Sequence, residues 1–184
     1  RELRELSYMG ASVLHEDSIF PVYEYAIPIN VRNTNRPEDP GTMIVPSIEN
    51  FRGRAVTGIA GKKNFTIISI EKTGMNAELG FGRRVLASIE KYGIPFEHMP
   101  SSIDSLCVVL EDSKVRDNLN DIIDDIHRSC EPDSVEIITG IALIATVGKR
   151  MRDSIGTAAR LFTALADANI NVRMIDQGSS EINI

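Results

Sequence analysis

The feature that most constrains the fold is an internal repeat with an offset of 76 residues. At this offset, FTIISIEKTGM at 65–75 aligns without a gap with IALIATVGKRM at 141–151, and five of the 30 positions from 65 to 94 are identical. The apolar positions Val85, Leu86 and Ile89 align with Leu161, Phe162 and Leu165. Since the matches share one strand, turn and helix pattern with its core positions in register, the sequence predicts two copies of one structural unit.

The first copy has the element order β-α-β-β-α-β. Its hydrophobic periodicity predicts strands at 56–60, 65–71, 94–99, 106–111 and 135–148, a turn at 61–64, and helices at 81–92 and 114–128. Gly93 is placed to end the first helix. This order is that of a ferredoxin-like α+β fold, with an antiparallel sheet covered by helices on one face. The second copy reaches residue 184 before its second helix and last strand.

The first 50 residues have a different pattern. Helical spacing at 3–14 and a second short helix toward Tyr23 precede an alternating strand at 27–33. The polar loop NTNRPEDPGT and a short apolar return at 43–45 then predict a hairpin or a functional loop. We therefore expect four regions with bounds at 1–50, 51–64, 65–139 and 140–184.

Composition narrows the class of protein. The 20 basic residues against 26 acidic ones give a net charge of −6, with no basic tract for nucleic acid. The longest apolar run, at 139–148, is too short to span a membrane. Cys107 and Cys130 lack a CxxC spacing, which indicates a reducing cytoplasm. The acidic residues of the second helix are expected on a solvated face, without a metal. The chain has neither an initiator methionine nor a signal segment, so we expect it to begin inside a longer protein.

The segment at 97–104 contains residue types found in catalytic centres: Glu97, His98, Ser101, Ser102 and Asp104. On a strand, Glu97 and His98 face opposite sides, and no nucleophile elbow is present, so catalysis is disfavoured. A binding site is the better interpretation. Backbone N–H groups at the helix start can donate hydrogen bonds to a carboxylate, and Glu97 can meet an ammonium group. The residues alone leave open the alternative that Glu97 is solvated and Phe96 belongs to the core.

Three stretches carry a family resemblance. Residues 4–44 resemble the end of the catalytic domain of aspartokinases, with VLH, IP and PGT in the family's order. Residues 65–104 resemble the first regulatory ACT domain of that family, and NINVRMIDQGSSEINI at 169–184 resembles the second. The resemblance implies tandem ferredoxin-like ACT domains preceded by a short α/β remnant of the kinase domain.

Aspartokinases transfer the γ-phosphoryl group of ATP to aspartate, and their ACT domains bind end-product amino acids for feedback inhibition. The resemblance therefore implies a regulatory region that binds lysine, with threonine as a second candidate, in a homodimer paired through its ACT sheets. The positions that correspond to the family's lysine site are Met75, Glu78, Phe81, Gly82, Phe96, Glu97, Ser102 and Ile103. Glu97 stands where relatives carry Asp, and Ile103 where some carry an acid, which leaves the effector's identity open.

The resemblance places the catalytic residues outside this chain. Only Asn33 to Arg36, in the loop before PGT, match a segment that approaches the nucleotide; Asn35 and Arg36 are the candidate residues, and Asn35 replaces a lysine of some relatives. ATP and Mg²⁺ are thus expected for the parent enzyme, with no cofactor in this fragment and no kinase activity of the fragment alone. The alternative is a stand-alone ACT-type amino-acid sensor and dimerisation module.

Overall fold

The computed structural model describes residues 2–10, 14–46, 56–148, 151 and 154–176. The chain divides into two compact units. The first unit contains Arg1–Gly61 and Ile144–Ile184, and the second contains Lys62–Leu143. The QGSSEIN stretch at 177–183 and most of the region around 46–53 lie outside the described residues.

The first unit begins with short elements. They are helix α1 (Glu2–Tyr8), a 3₁₀ turn (Glu16–Ser18), helix α2 (Phe20–Glu24), and strands β1 (Ile29–Val31) and β2 (Thr42–Ile44). β1 pairs antiparallel with β2, with Ile29 opposite Ile44. The predicted hairpin is therefore confirmed, and the loop at 32–41 connects its strands.

The second unit is formed around a three-stranded sheet. Its elements are β3 (Gly58–Glu71), α3 (Phe81–Glu90), β4 (Ser105–Glu111), α4 (Asp112–Val115), α5 (Leu119–Cys130) and β5 (Ser134–Val147). The strand order is β4-β3-β5, and β3 pairs antiparallel with β4 from Phe65 opposite Glu111 to Glu71 opposite Ser105. The N–H of Asp133, just before β5, donates to the last carbonyl of β3 at 2.8 Å. Both pairings connect neighbours of a ferredoxin-like sheet, so the predicted fold class is confirmed.

Two strand predictions were wrong in detail. The predicted turn at 61–64 is absent, because β3 runs continuously through it and Asn64 takes a left-handed φ of 70°, which asparagine tolerates within a local distortion. The predicted strand at 94–99 is reduced to isolated bridges from His98 to Val109 and from Ser101 to Leu106. Prolines at 95 and 100 lack the N–H that a continuous ladder needs.

The core of the second unit lies between the sheet and helices α3 and α5. Both helices are amphipathic, and their buried faces pack against alternating residues of β3 and β4. The fully buried members include Ile68, Ile70, Val85, Ile89, Val108, Leu110, Ile122 and Ile126. The predicted helix at 114–128 is interrupted by a 3₁₀ turn at Arg116–Asn118, so that α5 begins only at Leu119. No helix in the described ranges is long and apolar enough to cross a membrane.

The repeat is confirmed by backbone geometry in the first unit. Helix α6 (Thr157–Asp167) begins after Gly156 with φ 80°, as α3 begins after Gly80 with φ 78°. Past the helix ends, Asn169 has φ 56° and its counterpart Gly93 has φ 67°. The described residues 170–176 form no strand, as the aligned residues 94–100 form only an isolated bridge, at His98. The residues that correspond to β4, which such a strand would pair with, begin at 181, outside the described range.

Candidate functional site

The candidate site is built around the turn that joins β3 to α3, residues 72–80. Three hydrogen bonds fix this turn to the neighbouring chain. The N–H of Thr73 donates to Asp133 Oδ2 at 2.7 Å, the N–H of Gly74 donates to Asp104 Oδ1 at 2.7 Å, and the N–H of Asn76 donates to the Ile103 carbonyl at 3.1 Å. Gly74 takes a φ of 76°, which glycine allows without strain. The turn is thus held from both sides before α3 begins.

The start of α3 is suited to an anion. Gly80 precedes it without a side chain to cap the first N–H groups, and its first turn contains no acidic residue. Arg83 and Arg84 lie in that turn instead. Because unpaired N–H groups and the helix dipole favour negative charge, a carboxylate is the group that this end would take.

A charged cluster covers the same turn. The carboxylate of Glu78 lies 2.8 Å from Lys72 Nζ and also pairs with Arg84 Nη2. Both cations lie over the ring of Phe81, at 5.7 and 5.8 Å from its centroid. The hydrogen bond from Lys72, with the charges of Lys72 and Arg84, lowers the pKa of Glu78 against the opposing effect of burial. Glu78 is therefore an ionised group whose charge is already compensated within the chain.

The predicted site residues fall into two groups in the structure. Met75 and Phe81 are 7% and 3% exposed, so they form the apolar base of the turn, with Glu78 above them and Gly82 in the first turn of α3. Ser102 and Ile103 lie beside this group, because the Ile103 carbonyl accepts the N–H of Asn76. These six positions surround one turn.

Phe96 and Glu97 lie beside the far end of β4, away from the β3–α3 turn. The N–H of Glu97 donates to the Val109 carbonyl, whereas the N–H of Ser102 donates to that of Ser105. Those two partners lie four positions apart on β4, about 13 Å at the rise of a β-strand. Phe96 is 44% exposed, which excludes the alternative that it is a core residue.

A cleft of about 320 Å³ opens beside the turn. It is lined by Glu71, Lys72, Thr73, Ser102, Ile103, Asp104, Ser105 and Asp133. Two carboxylates of the cleft accept hydrogen bonds from the chain itself. Asp133 accepts two from Thr73, which lower its pKa, and Glu71 accepts one from Ser134. Sequence reasoning missed Lys72, Thr73 and Asp133, because their partners are about 60 positions away in the chain.

Comparisons with known proteins agree with this geometry. The family profile described as ACT domain matches residues 144–184. Aspartokinase 3 of Bacillus subtilis is 41% identical over the whole chain. The crystal structure of Clostridium acetobutylicum aspartate kinase, an allosteric enzyme, covers 99% of the chain at 55% identity with a TM-score of 0.91. The chain belongs to the aspartokinase family. It is the C-terminal regulatory region, and it spans 40% and 42% of those two proteins.

A third similar structure shows ligands. Escherichia coli aspartokinase III, crystallised with lysine and aspartate in the T state, matches 99% of the chain and 40% of its own at 26% identity, with a TM-score of 0.75. The chain thus has the fold of an aspartokinase whose crystal structure contains lysine and aspartate.

The loop between β1 and β2 is the other feature that aspartokinase membership makes relevant. The Arg32 guanidinium donates to the Asp39 carbonyl at 2.9 and 3.1 Å and also contacts the Pro37 carbonyl. Gly41 has φ 72°, and a Cβ there would lie 2.4 Å from the Val31 carbonyl oxygen. This closure presents Asn35 and Arg36 on the exposed side of the loop.

The described part of the chain contains no group of three or more His, Cys, Asp or Glu side chains arranged to hold a metal ion.

Proposed function

We propose that the protein carrying this chain is an aspartate kinase, which uses ATP and Mg²⁺ to convert L-aspartate to 4-phospho-L-aspartate. The chain spans 40% of the length of Bacillus subtilis aspartokinase 3. The role proposed for this region is regulation, in a cytoplasmic homodimer. The alternative, a stand-alone sensor, is less well supported, because the chain matches aspartokinases along its full length and includes the β1–β2 hairpin.

The proposed effector is L-lysine, bound at the start of α3. The observation that carries this proposal is the turn itself: an uncapped helix start, without acids in its first turn, beside an apolar base formed by Met75 and Phe81. A free amino acid presents a carboxylate that suits such a helix end. E. coli aspartokinase III, whose structure contains lysine, supports the choice of ligand.

The site residues proposed for lysine have different roles. Backbone N–H groups at Gly82 would take the α-carboxylate. Ser102 and Ile103 would line the side of the ligand next to the cleft. Glu97 is proposed to meet a ligand ammonium group, because its position corresponds to the family's lysine site.

The experiment is isothermal titration calorimetry and thermal denaturation with L-lysine, L-threonine, L-methionine and L-isoleucine in turn. A ligand at a hundredfold excess over its Kd stabilises the folded state by about 2.7 kcal/mol. We expect lysine to give the largest shift and Glu97→Gln to weaken its binding, with Glu136→Gln, an exposed acid on β5, as the control. A response to threonine alone would replace lysine as the effector, and no response to any of them would refute the effector site.

Kinase activity is tested separately. A coupled assay of aspartyl phosphate formation should detect no product from this chain alone. Product formed by the purified chain would show that catalytic groups lie within it.

A further inference from the structure

Lys72 joins three parts of the second unit. It follows β3 directly, and its side chain is only 19% exposed. Its ammonium group lies 2.8 Å from Glu78 Oε2 and donates to the carbonyl of Cys130 at 2.5 Å. The same group lies over the ring of Phe81. A single side chain thus contacts the β3–α3 turn, the base of that turn, and the end of α5.

The contact with Cys130 has a specific chemical basis. Cys130 is the last residue of α5, and Glu131 after it takes a left-handed φ of 47°. The last carbonyl groups of a helix lack partners within it and carry a partial negative charge, so an ammonium group is favoured there. Thr73 adds a second link to the same region through Asp133. The junction of α5 and β5, residues 130–133, is therefore tied to the turn by two neighbouring residues.

The ion pair at Glu78 makes this link responsive to a ligand. Glu78 is shared between Lys72 and Arg84. A ligand carboxylate at the start of α3 would compete with Glu78 for Arg84, because both anions need the same guanidinium. The Glu78 carboxylate would then be paired with Lys72 alone. The Lys72 ammonium would be held more firmly between Glu78 and the Cys130 carbonyl.

We infer that Lys72 is a positioning residue that couples amino-acid binding at the β3–α3 turn to the junction of α5 and β5. This inference rests on the proposed effector site. It adds a route by which occupancy of that site reaches a second surface of the unit, and it assigns that route to a side chain outside the predicted ligand contacts.

The test measures ligand affinity and amide hydrogen exchange in the protein carrying the chain, with L-lysine as the probe. The amides of Glu131 and Asp133 report on the junction, because they donate to the carbonyls of His127 and Glu71. Lys72→Met removes the charge and keeps the aliphatic stem. Lys91→Met is the matched control: Lys91 also pairs with an acid, Asp125, at 2.7 Å and lies over an aromatic ring, that of Tyr92.

In the unaltered protein and in Lys91→Met, L-lysine should slow exchange at both amides. Lys72→Met should raise the Kd about tenfold, within the usual range of coupling between sites, and abolish the slowing. Lys72→Arg, which retains the charge and the donors, should restore it. Equal Kd values and equal protection in Lys72→Met and Lys91→Met would overturn the inference while leaving the effector site standing. No binding of L-lysine by the unaltered protein would overturn both.

Discussion

The two copies of the strand-turn-helix unit share a backbone and differ in the side chains that hold it. Gly80 and Gly156 precede their helices with nearly the same φ, and Met75 and Met151 are both buried beneath the turns. The N–H of Arg84 donates to the Gly80 carbonyl at 3.1 Å, and that of Arg160 donates to the Gly156 carbonyl at 3.0 Å. The local conformation is therefore set by glycine and apolar positions that both copies retain.

The chemistry differs at the aligned positions. Glu78 corresponds to Ser154, and Phe81 corresponds to Thr157. In the first copy, Lys72 and Arg84 pair with Glu78 and lie over the ring of Phe81. In the second copy, the Thr157 hydroxyl donates to the Ser154 carbonyl at 3.0 Å. At these two aligned positions the first copy has an acid and an aromatic ring, whereas the second has two hydroxyl side chains. The comparison teaches that one backbone conformation at the start of a helix accommodates side chains of different chemistry.

The largest expected effect comes from the aromatic base of the first turn. Phe81→Ala removes a side chain that is 3% exposed, and such a truncation costs about 3–5 kcal/mol. Thr157→Ala at the aligned position should cost about 1 kcal/mol, since it removes one hydrogen bond and little volume. Urea denaturation of both variants measures the free energy of unfolding. Losses of similar size would show that the two turns are stabilised in the same way.

The second-largest expected effect concerns the glycine that precedes the helix in both copies. Gly80→Ala and Gly156→Ala each force a side chain into a left-handed conformation, at about 1–2 kcal/mol. The added methyl groups would meet no close neighbour, since the nearest heavy atom is an Arg83 side-chain nitrogen 3.8 Å away at Gly80, and none lies within 4 Å at Gly156. Denaturation should therefore give equal losses. Unequal losses would mean that one turn can relax and the other cannot.

Much of the fold was predictable because the sequence patterns that specify its helices and strands are local. The apolar periodicity of residues 81–92 and the β-branched run of β4 identify their elements without knowledge of the partner, and the repeat confirmed the order. The segment at 94–99 failed as a strand because Pro95 and Pro100 outweigh its apolar pattern. The turn predicted at 61–64 failed because Asn64 can take a left-handed conformation inside a strand.

The candidate site was predictable only in part. Met75, Glu78 and Phe81 are close in sequence and come together in the turn. Lys72 could not be assigned from the sequence, because its partner Cys130 lies 58 positions away and supplies only a backbone carbonyl. The compensation of Glu78 by two cations likewise depends on side-chain directions, which spacing alone does not give.

A third effect concerns the helix pair, which only the first copy completes among the described residues. Asp125 on α5 binds Lys91 Nζ at 2.7 Å and Tyr92 Oη at 2.8 Å, and these hydrogen bonds lower its pKa to about 2. A lowered pKa stabilises the fold above the ordinary pKa of aspartate, and this contribution is lost as the pH falls toward 2. Asp125→Asn should flatten the fall in stability below about pH 4. Asp124→Asn, at an exposed position of α5, is the control. Identical acid profiles for the two variants would contradict this role.

The smallest effect concerns the residues past the helix ends. Gly93 and Asn169 occupy aligned positions with φ 67° and 56°, and their N–H groups donate to the carbonyls of Glu90 and Ala166 at 2.8 and 2.9 Å. Glycine takes this conformation at less cost than asparagine, so Asn169→Gly should stabilise the protein and Gly93→Asn destabilise it, each by less than about 1 kcal/mol. Thermal denaturation of the single and double variants measures both effects. Since the two sites are in different units, the exchange of residues in the double variant should nearly cancel. A clear loss in the double variant would show that the side chain at one of the two sites makes a contact that the shared backbone does not explain.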